Sequence, residues 1–218
     1  MKKNLDEISD GKIYGLNDMV RAACNDCEGC HACCEDMGQS VVLDPLDVWQ
    51  LTANLGYTFE QLLQDKMELN VSDGMILPNL KMTEEQNVCP FLDEQGRCSI
   101  HSFRPGICRV FPLGRVYEDG RLDYFLQKEG CIRENRTKVK VSKWLDTPEL
   151  KKNQRYLSDW HDFRKQIAEI LDAMEDENQK KTITMFLLNT FFIQPYQPDD
   201  FYTQFYERLE KIRQVLQA

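Results

Sequence analysis

The segment Cys24-Asn-Asp-Cys27-Glu-Gly-Cys30-His-Ala-Cys33-Cys34 repeats C-x2-C three times without a gap. Two residues between cysteines let a tight turn aim both thiolates at one metal, and C-x2-C-x2-C is the spacing that places three ligands around an iron-sulfur cubane. Four further cysteines lie downstream, each beside a turn former or a basic residue: Cys89-Pro90, Gly96-Arg97-Cys98, Cys108-Arg109 and Gly130-Cys131. Positive charge and backbone amides favour the thiolate that binds metal. A free thiol also behaves as a small buried hydrophobe, and Cys24 reads as readily that way as it does as a ligand. With Cys24 set aside, eight cysteines suffice for two four-thiolate sites or for one site and a redox pair. Spacing does not choose between these partitions.

Zinc and iron-sulfur both accept four thiolates in tetrahedral array. A zinc ribbon shows two well-separated C-x2-C knuckles. Here one continuous run carries overlapping pairs, the adjacent Cys33-Cys34 suggests ligands split between two sites or an irregular cluster, and basic residues offset a cluster's negative charge. Between Arg97 and Arg136 stand eight Lys/Arg against five Asp/Glu, inside a chain whose net charge is -9. The expectation is an iron-sulfur cluster, of the 4Fe-4S type, with zinc as the alternative.

The acidic balance argues against general affinity for nucleic acid or anionic membranes, which draws on clustered Lys and Arg. No apolar run approaches the roughly 18 to 20 residues that a membrane helix needs, and MKKNLDEISDGKIYG has no apolar stretch behind its lysines. A cytoplasmic protein is expected, in a compartment where dense cysteine usage means metal or redox chemistry rather than disulfides.

No cysteine follows Cys131. This divides the chain into a metal-binding domain over 1–140 and a helical tail over 141–218 packed on it. Within the first part, VVLDPLDVWQLTANLG reads as a short strand, then a helix with Asp44 at the N-cap, Pro45 in the first turn and Gly56 at the end. Thr58-x-x-Gln61 resembles a capping box for a second helix running to about Leu69. From Gly74 to Leu126 repeated prolines and glycines break short apolar pieces into a loop-rich region. In the tail, Thr147-Pro148-Glu149 opens a helix with Leu157, Trp160, Ile167, Leu171 and Met174 at helical spacing. Two more helices, about 181–193 and 200–216, flank the break at Pro195 and Pro198. The fold class is α+β, predominantly helical, with an irregular cysteine-rich core and a C-terminal helical bundle.

The pair of segments C27-EG-C30-HA-C33-C34 and C98-SIHSFRPGI-C108-RVF, with C89-PFL before and G130-C131 after, resembles the bacterial and archaeal cysteine-cluster proteins. These are described as zinc- or iron-chelating and often as iron-sulfur proteins, and the flagellin lysine N-methylases share the pattern. The resemblance implies metal binding by Cys27, Cys30, Cys33, Cys34, Cys89, Cys98, Cys108 and Cys131, in electron transfer or in a methyltransferase-like enzyme. In this chain His31 stands where members often have glycine, and His101 fills a position commonly held by tyrosine. His31 is therefore either a change in turn geometry or an added nitrogen ligand.

Arg104 and Arg109 are candidates to bind a cofactor, through cluster sulfurs or an anionic group such as the carboxylate of S-adenosylmethionine. The competing reading pairs them with acidic residues of the same fold. His161, beside Trp160, reads as surface or core lining. Phe186, Phe191, Phe192, Phe201, Tyr202, Phe205 and Tyr206 read as packed helix core in preference to a pocket. No G-x-G-x-x-G, Walker or G-x-S-x-G motif supports a nucleotide-cofactor enzyme or a serine hydrolase. The rival to a redox or catalytic role is a zinc-stabilised module whose helical tail recognises a protein partner.

Overall fold

The computed structural model describes residues 5–23, 30–118, 120–133 and 135–217. In chain order the helices are α1 (Leu5–Ile8), α2 (Pro45–Leu55), α3 (Phe59–Asp65), α4 (Gly106–Val110), α5 (Val141–Leu145), α6 (Leu150–Ala173), α7 (Glu177–Leu188) and α8 (Phe201–Gln217). The strands are β1 (Ser9–Tyr14), β2 (Met19–Ala23), β3 (Met67–Ser72), β4 (Met75–Leu80), β5 (Leu113–Glu118), β6 (Arg121–Gln127) and β7 (Thr137–Lys140). The chain is mixed α+β with a helical C-terminal part, as its sequence pattern implies. It divides into two compact units that interleave along the sequence, one of residues 1–38, 82–101 and 105–159, the other of 39–81, 102–104 and 160–218.

The first unit holds every described cysteine. Its main sheet is antiparallel in the order β1-β6-β5. The β5–β6 hairpin closes with Gly120 at φ 71°, the left-handed conformation that tight hairpin turns favour. Gly114 lies opposite Phe125 in this hairpin, and its lack of a side chain makes room for the ring. A second ladder joins β2 to β7 and ends where Ala23 meets Thr137. The chain therefore leaves this ladder directly into the cysteine run and returns to it shortly after Cys131. Val20 and Ala22 are fully buried, so β2 anchors both ends of the cysteine-bearing region in the core.

In the second unit, α2 opens with a reciprocal capping box: the amide of Asp47 donates to Asp44 Oδ1 and the amide of Asp44 to Asp47 Oδ2, both at 3.0 Å. It closes on left-handed Gly56. The preceding apolar piece is a single bridge, Val42 to Asn79, rather than a full strand. The Thr58–Gln61 box starts α3 as its sequence implies, but the helix stops at Asp65 instead of reaching Leu69. Residues 67–72 are taken by β3, whose hairpin with β4 turns at Asp73-Gly74, both at positive φ (51° and 75°). That turn and six cross-strand pairs outweigh the helical pattern.

The remaining helices assemble an aromatic core. From Trp160 onward α6 buries Trp160, Phe163, Ile167 and Leu171 against Phe191 and Phe192, and α8 contributes Phe201, Phe205, Leu209 and Ile212. Trp160 meets Phe191, Phe192 and Phe205 edge-on at 5.2 to 6.1 Å between ring centroids. Of the aromatics expected as core, Phe191, Phe192, Phe201 and Phe205 are buried, Tyr202 and Tyr206 are half-buried, and Phe186 is exposed. Asp176 caps α7, and the segment Asn189–Ile193 continues it as a π-helical turn. Arg208 holds this turn, donating through Nη1 to the carbonyls of Thr190 and Gln194 and through Nη2 to that of Pro195, at 2.7 to 2.8 Å. No helix among the described residues is long and apolar enough to cross a membrane.

Candidate metal centre

Cys24 and Cys27 lie outside the described residues. From Cys30 the chain forms a 3-10 turn over Ala32–Cys34, closed by the amide of Cys34 on the carbonyl of His31 at 2.7 Å. Glu35 is then extended and bridges Val88 in antiparallel sense. Two main-chain bonds flank the bridge, Cys89 N to Cys34 O at 2.7 Å and Asp36 N to Asn87 O at 2.9 Å. The Asn87 side chain adds a third to Asp36 Oδ1 at 2.7 Å. This register sets Cys34 opposite Cys89.

Cys89 opens a tight turn, with the amide of Leu92 donating to its carbonyl at 3.1 Å. Leu92 then bridges Cys98. The intervening loop is built on Asp93: Oδ1 accepts the amides of Gln95 and Arg97, and the carbonyl accepts that of Gly96. Such side-chain capture is why Asp is favoured at the head of a turn, and Gly96 supplies the left-handed position at φ 69°. Buried Phe91 and Ile100 flank the small hairpin and pin it to the core. Continuous main-chain bonding therefore runs from Cys34 through Cys89 to Cys98. His101 begins the next turn, its amide on the carbonyl of Cys98 at 3.2 Å.

Cys108 sits on α4 and Cys131 in the loop after β6. Phe111, which ends α4, lies against Gly130, where a Cβ would come within 3.3 Å of the ring. The neighbourhoods of Cys108 and Cys131 are joined by that contact. α4 is fixed from its C-terminal end by Trp144 of α5, whose indole donates to the carbonyl of Val110 at 3.2 Å. Arg109 donates to the carbonyl of Asp146 at 3.0 Å and lies 4.0 Å from its carboxylate. Arg109 is thus engaged within its own fold, and Arg104 falls in the short stretch grouped with the second unit.

The structure holds Cys30, Cys33, Cys34, Cys89, Cys98, Cys108 and Cys131 as thiols. Cys89 is buried, Cys33 exposed and the others half-buried. Among the described residues, no three of His, Cys, Asp and Glu already converge as a metal site. The donor set is nonetheless all sulfur, and backbone bonding links three of its members, so its chemistry fits zinc or an iron-sulfur cluster. His31, which the sequence offers as a nitrogen ligand, instead directs Nε2 to Glu35 Oε1 at 3.1 Å. The imidazole also lies against Gly96, where a Cβ would come within 2.7 Å of Nδ1, a contact invisible in the sequence because the two residues belong to different cysteine segments. The only signal there is the glycine itself, in a turn that needs positive φ.

A family model named CxxCxxCC, with the description "Putative zinc- or iron-chelating domain", matches residues 26–147, more than half of the chain. The chain belongs to this family. CxxCxxCC membership supports metal binding, with zinc or iron as the metal. The matched segment begins just after β2 and ends just after α5, so in this fold the CxxCxxCC region hangs from the β2–β7 ladder. No curated protein and no solved structure matches the chain.

Proposed function

We propose that this protein carries an iron-sulfur cluster, of the 4Fe-4S type, and serves in electron transfer. The ligands come from Cys27, Cys30, Cys33, Cys34, Cys89, Cys98, Cys108 and Cys131, within a metal-binding region over 1–140 that the tail over 141–218 supports. The single observation that carries the reading is the main-chain bonding of the Cys30–Cys34 turn to Cys89 and on to Cys98. It holds thiols from two distant stretches of chain in one rigid backbone frame, which lowers the ordering cost of closing a multi-thiolate site. When bound, a cluster of this kind supplies one-electron chemistry. The protein's part is to hold the thiolates and to surround them with a locally basic segment that offsets the cluster's charge.

A methyltransferase-like role is less well supported, because Arg109, a candidate for an anionic cofactor, is committed to Asp146. The zinc-stabilised interaction module remains the second reading. Exposed Met185 and Phe186 on α7 favour it, since they offer apolar contact surface on the tail.

Protein purified without oxygen separates the readings. A brown protein absorbing near about 400 nm, with iron and acid-labile sulfide in matching amounts, is expected. Colourless protein with stoichiometric zinc overturns the cluster and leaves the structural module.

A further inference from the structure

Resting on the metal-binding reading above, we infer that His31 is a positioning residue that locks the two cysteine-bearing segments together, and is not a metal ligand. With its proton on Nε2, His31 donates to Glu35 Oε1 at 3.1 Å. This bond spans the 3-10 turn that carries Cys33 and Cys34. The opposite edge of the ring lies on Gly96, at the tip of the Cys89–Cys98 hairpin. A Cβ at Gly96 would stand 2.7 Å from Nδ1 and 3.0 Å from Cε1. One nitrogen is therefore spent on Glu35 and the other faces backbone, which leaves neither directed at a metal.

The geometry gives His31 a mechanical task. Main-chain bonds join the two segments at Cys34–Cys89 and Asp36–Asn87. His31 adds a separate point of attachment at the hairpin tip, so that the hairpin cannot swing about the Cys34–Cys89 contact. Supporting contacts of this kind tune a metal site through the orientation of its ligands. Gly96 is required twice over, for its positive φ and for the space the imidazole fills.

The test is a double-mutant cycle on the full chain, with zinc as the probe metal in competition with a chromogenic chelator. H31A is expected to weaken zinc about 10-fold and G96A about 100-fold, the range for loss of a supporting contact. H31A/G96A is expected to be no weaker than G96A alone, because the added methyl then meets no ring. If the two effects multiply to about 1,000-fold in the double variant, the locking contact is wrong. X-ray absorption at the bound zinc gives a second readout, with the same first coordination shell expected in wild type and H31A. A nitrogen scatterer present in wild type and absent in H31A would make His31 a ligand and overturn the inference. Wild-type protein that takes up no metal defeats the underlying reading instead. The melting temperatures of the four apo proteins then still test the His31–Gly96 coupling by the same comparison.

Discussion

The amide of Cys89 donates to the carbonyl of Cys34 at 2.7 Å, so two candidate ligands from distant stretches of chain are bonded through their main chains. That bond survives a change of side chain. Replacing either residue by serine therefore removes a sulfur without removing the frame that presents it.

C34S and C89S are each expected to lower metal affinity by more than about 100-fold, beyond the loss that a supporting contact produces. Their stability in the presence of a strong chelator should stay close to that of chelated wild type. Metal analysis of the purified variants, with thermal melts with and without chelator, checks both statements. Full metal content in both variants would remove these residues from the ligand set.

Gly114 faces Phe125 across the β5–β6 hairpin, and a Cβ there would lie 2.2 Å from the ring. Neither an aromatic ring nor the strand beneath it yields cheaply. G114A is expected to cost about 3 kcal/mol, the upper end for overpacking. Urea denaturation followed by circular dichroism measures it, and a loss below about 0.5 kcal/mol would mean that the hairpin is not packed as described.

Arg208 donates to three carbonyls of the turn after α7, and its guanidinium lies 3.6 Å from the centre of the Tyr196 ring. The hydroxyl of half-buried Tyr196 in turn donates to the carbonyl of Phe191 at 3.2 Å. R208A is expected to cost about 2 kcal/mol, since it strips a charged donor from three acceptors, and to lower Tm by about 4–8 °C. R208K should recover little, because a single ammonium cannot reproduce a planar fork. Differential scanning calorimetry of both variants is the measurement.

His161 on α6 has its pKa lowered by burial, with Lys165 and Arg164 acting in the same direction and Asp162 and Asp73 against it. The unfolded chain therefore takes up a proton at a higher pH than the folded one does. The stabilisation is present above the ordinary histidine pKa of about 6.5 and is lost as pH falls through the depressed value. H161N should show a smaller drop in urea midpoint than wild type between pH 7.5 and pH 5.5 (both set as approximate test conditions, about one unit either side of the reference value). Equal drops in the two proteins would remove His161 as a source of acid sensitivity.

Features written in local residues are the ones the sequence discloses. Asp44, Pro45 and Gly56 bound α2 where their chemistry puts it, and the stripe Phe201, Phe205, Leu209 and Ile212 is the buried face of α8. Partners far apart in sequence are not disclosed. β1 is a polar stretch, SDGKIY, whose strand character comes from pairing with β6 more than a hundred residues later. Residues 67–69 look like the end of a helix until the Asp73-Gly74 turn folds β4 back on β3. Cysteine spacing points to metal, and the family match agrees. The bonding of Cys34 to Cys89, and the seating of His31 on Gly96, depend on which loops meet, and spacing does not encode that.

The β2–β7 ladder also bears on how this protein can be dissected. The matched family segment, residues 26–147, includes β6 and β7 but neither β1 nor β2, their partners on one side. Excised on its own, it would present two unpaired strand edges to solvent, the feature that natural sheets avoid because it seeds self-association. The polar leader before the first cysteine is thus a lining sewn into the garment: cut away, it leaves the metal-bearing cloth with raw hems.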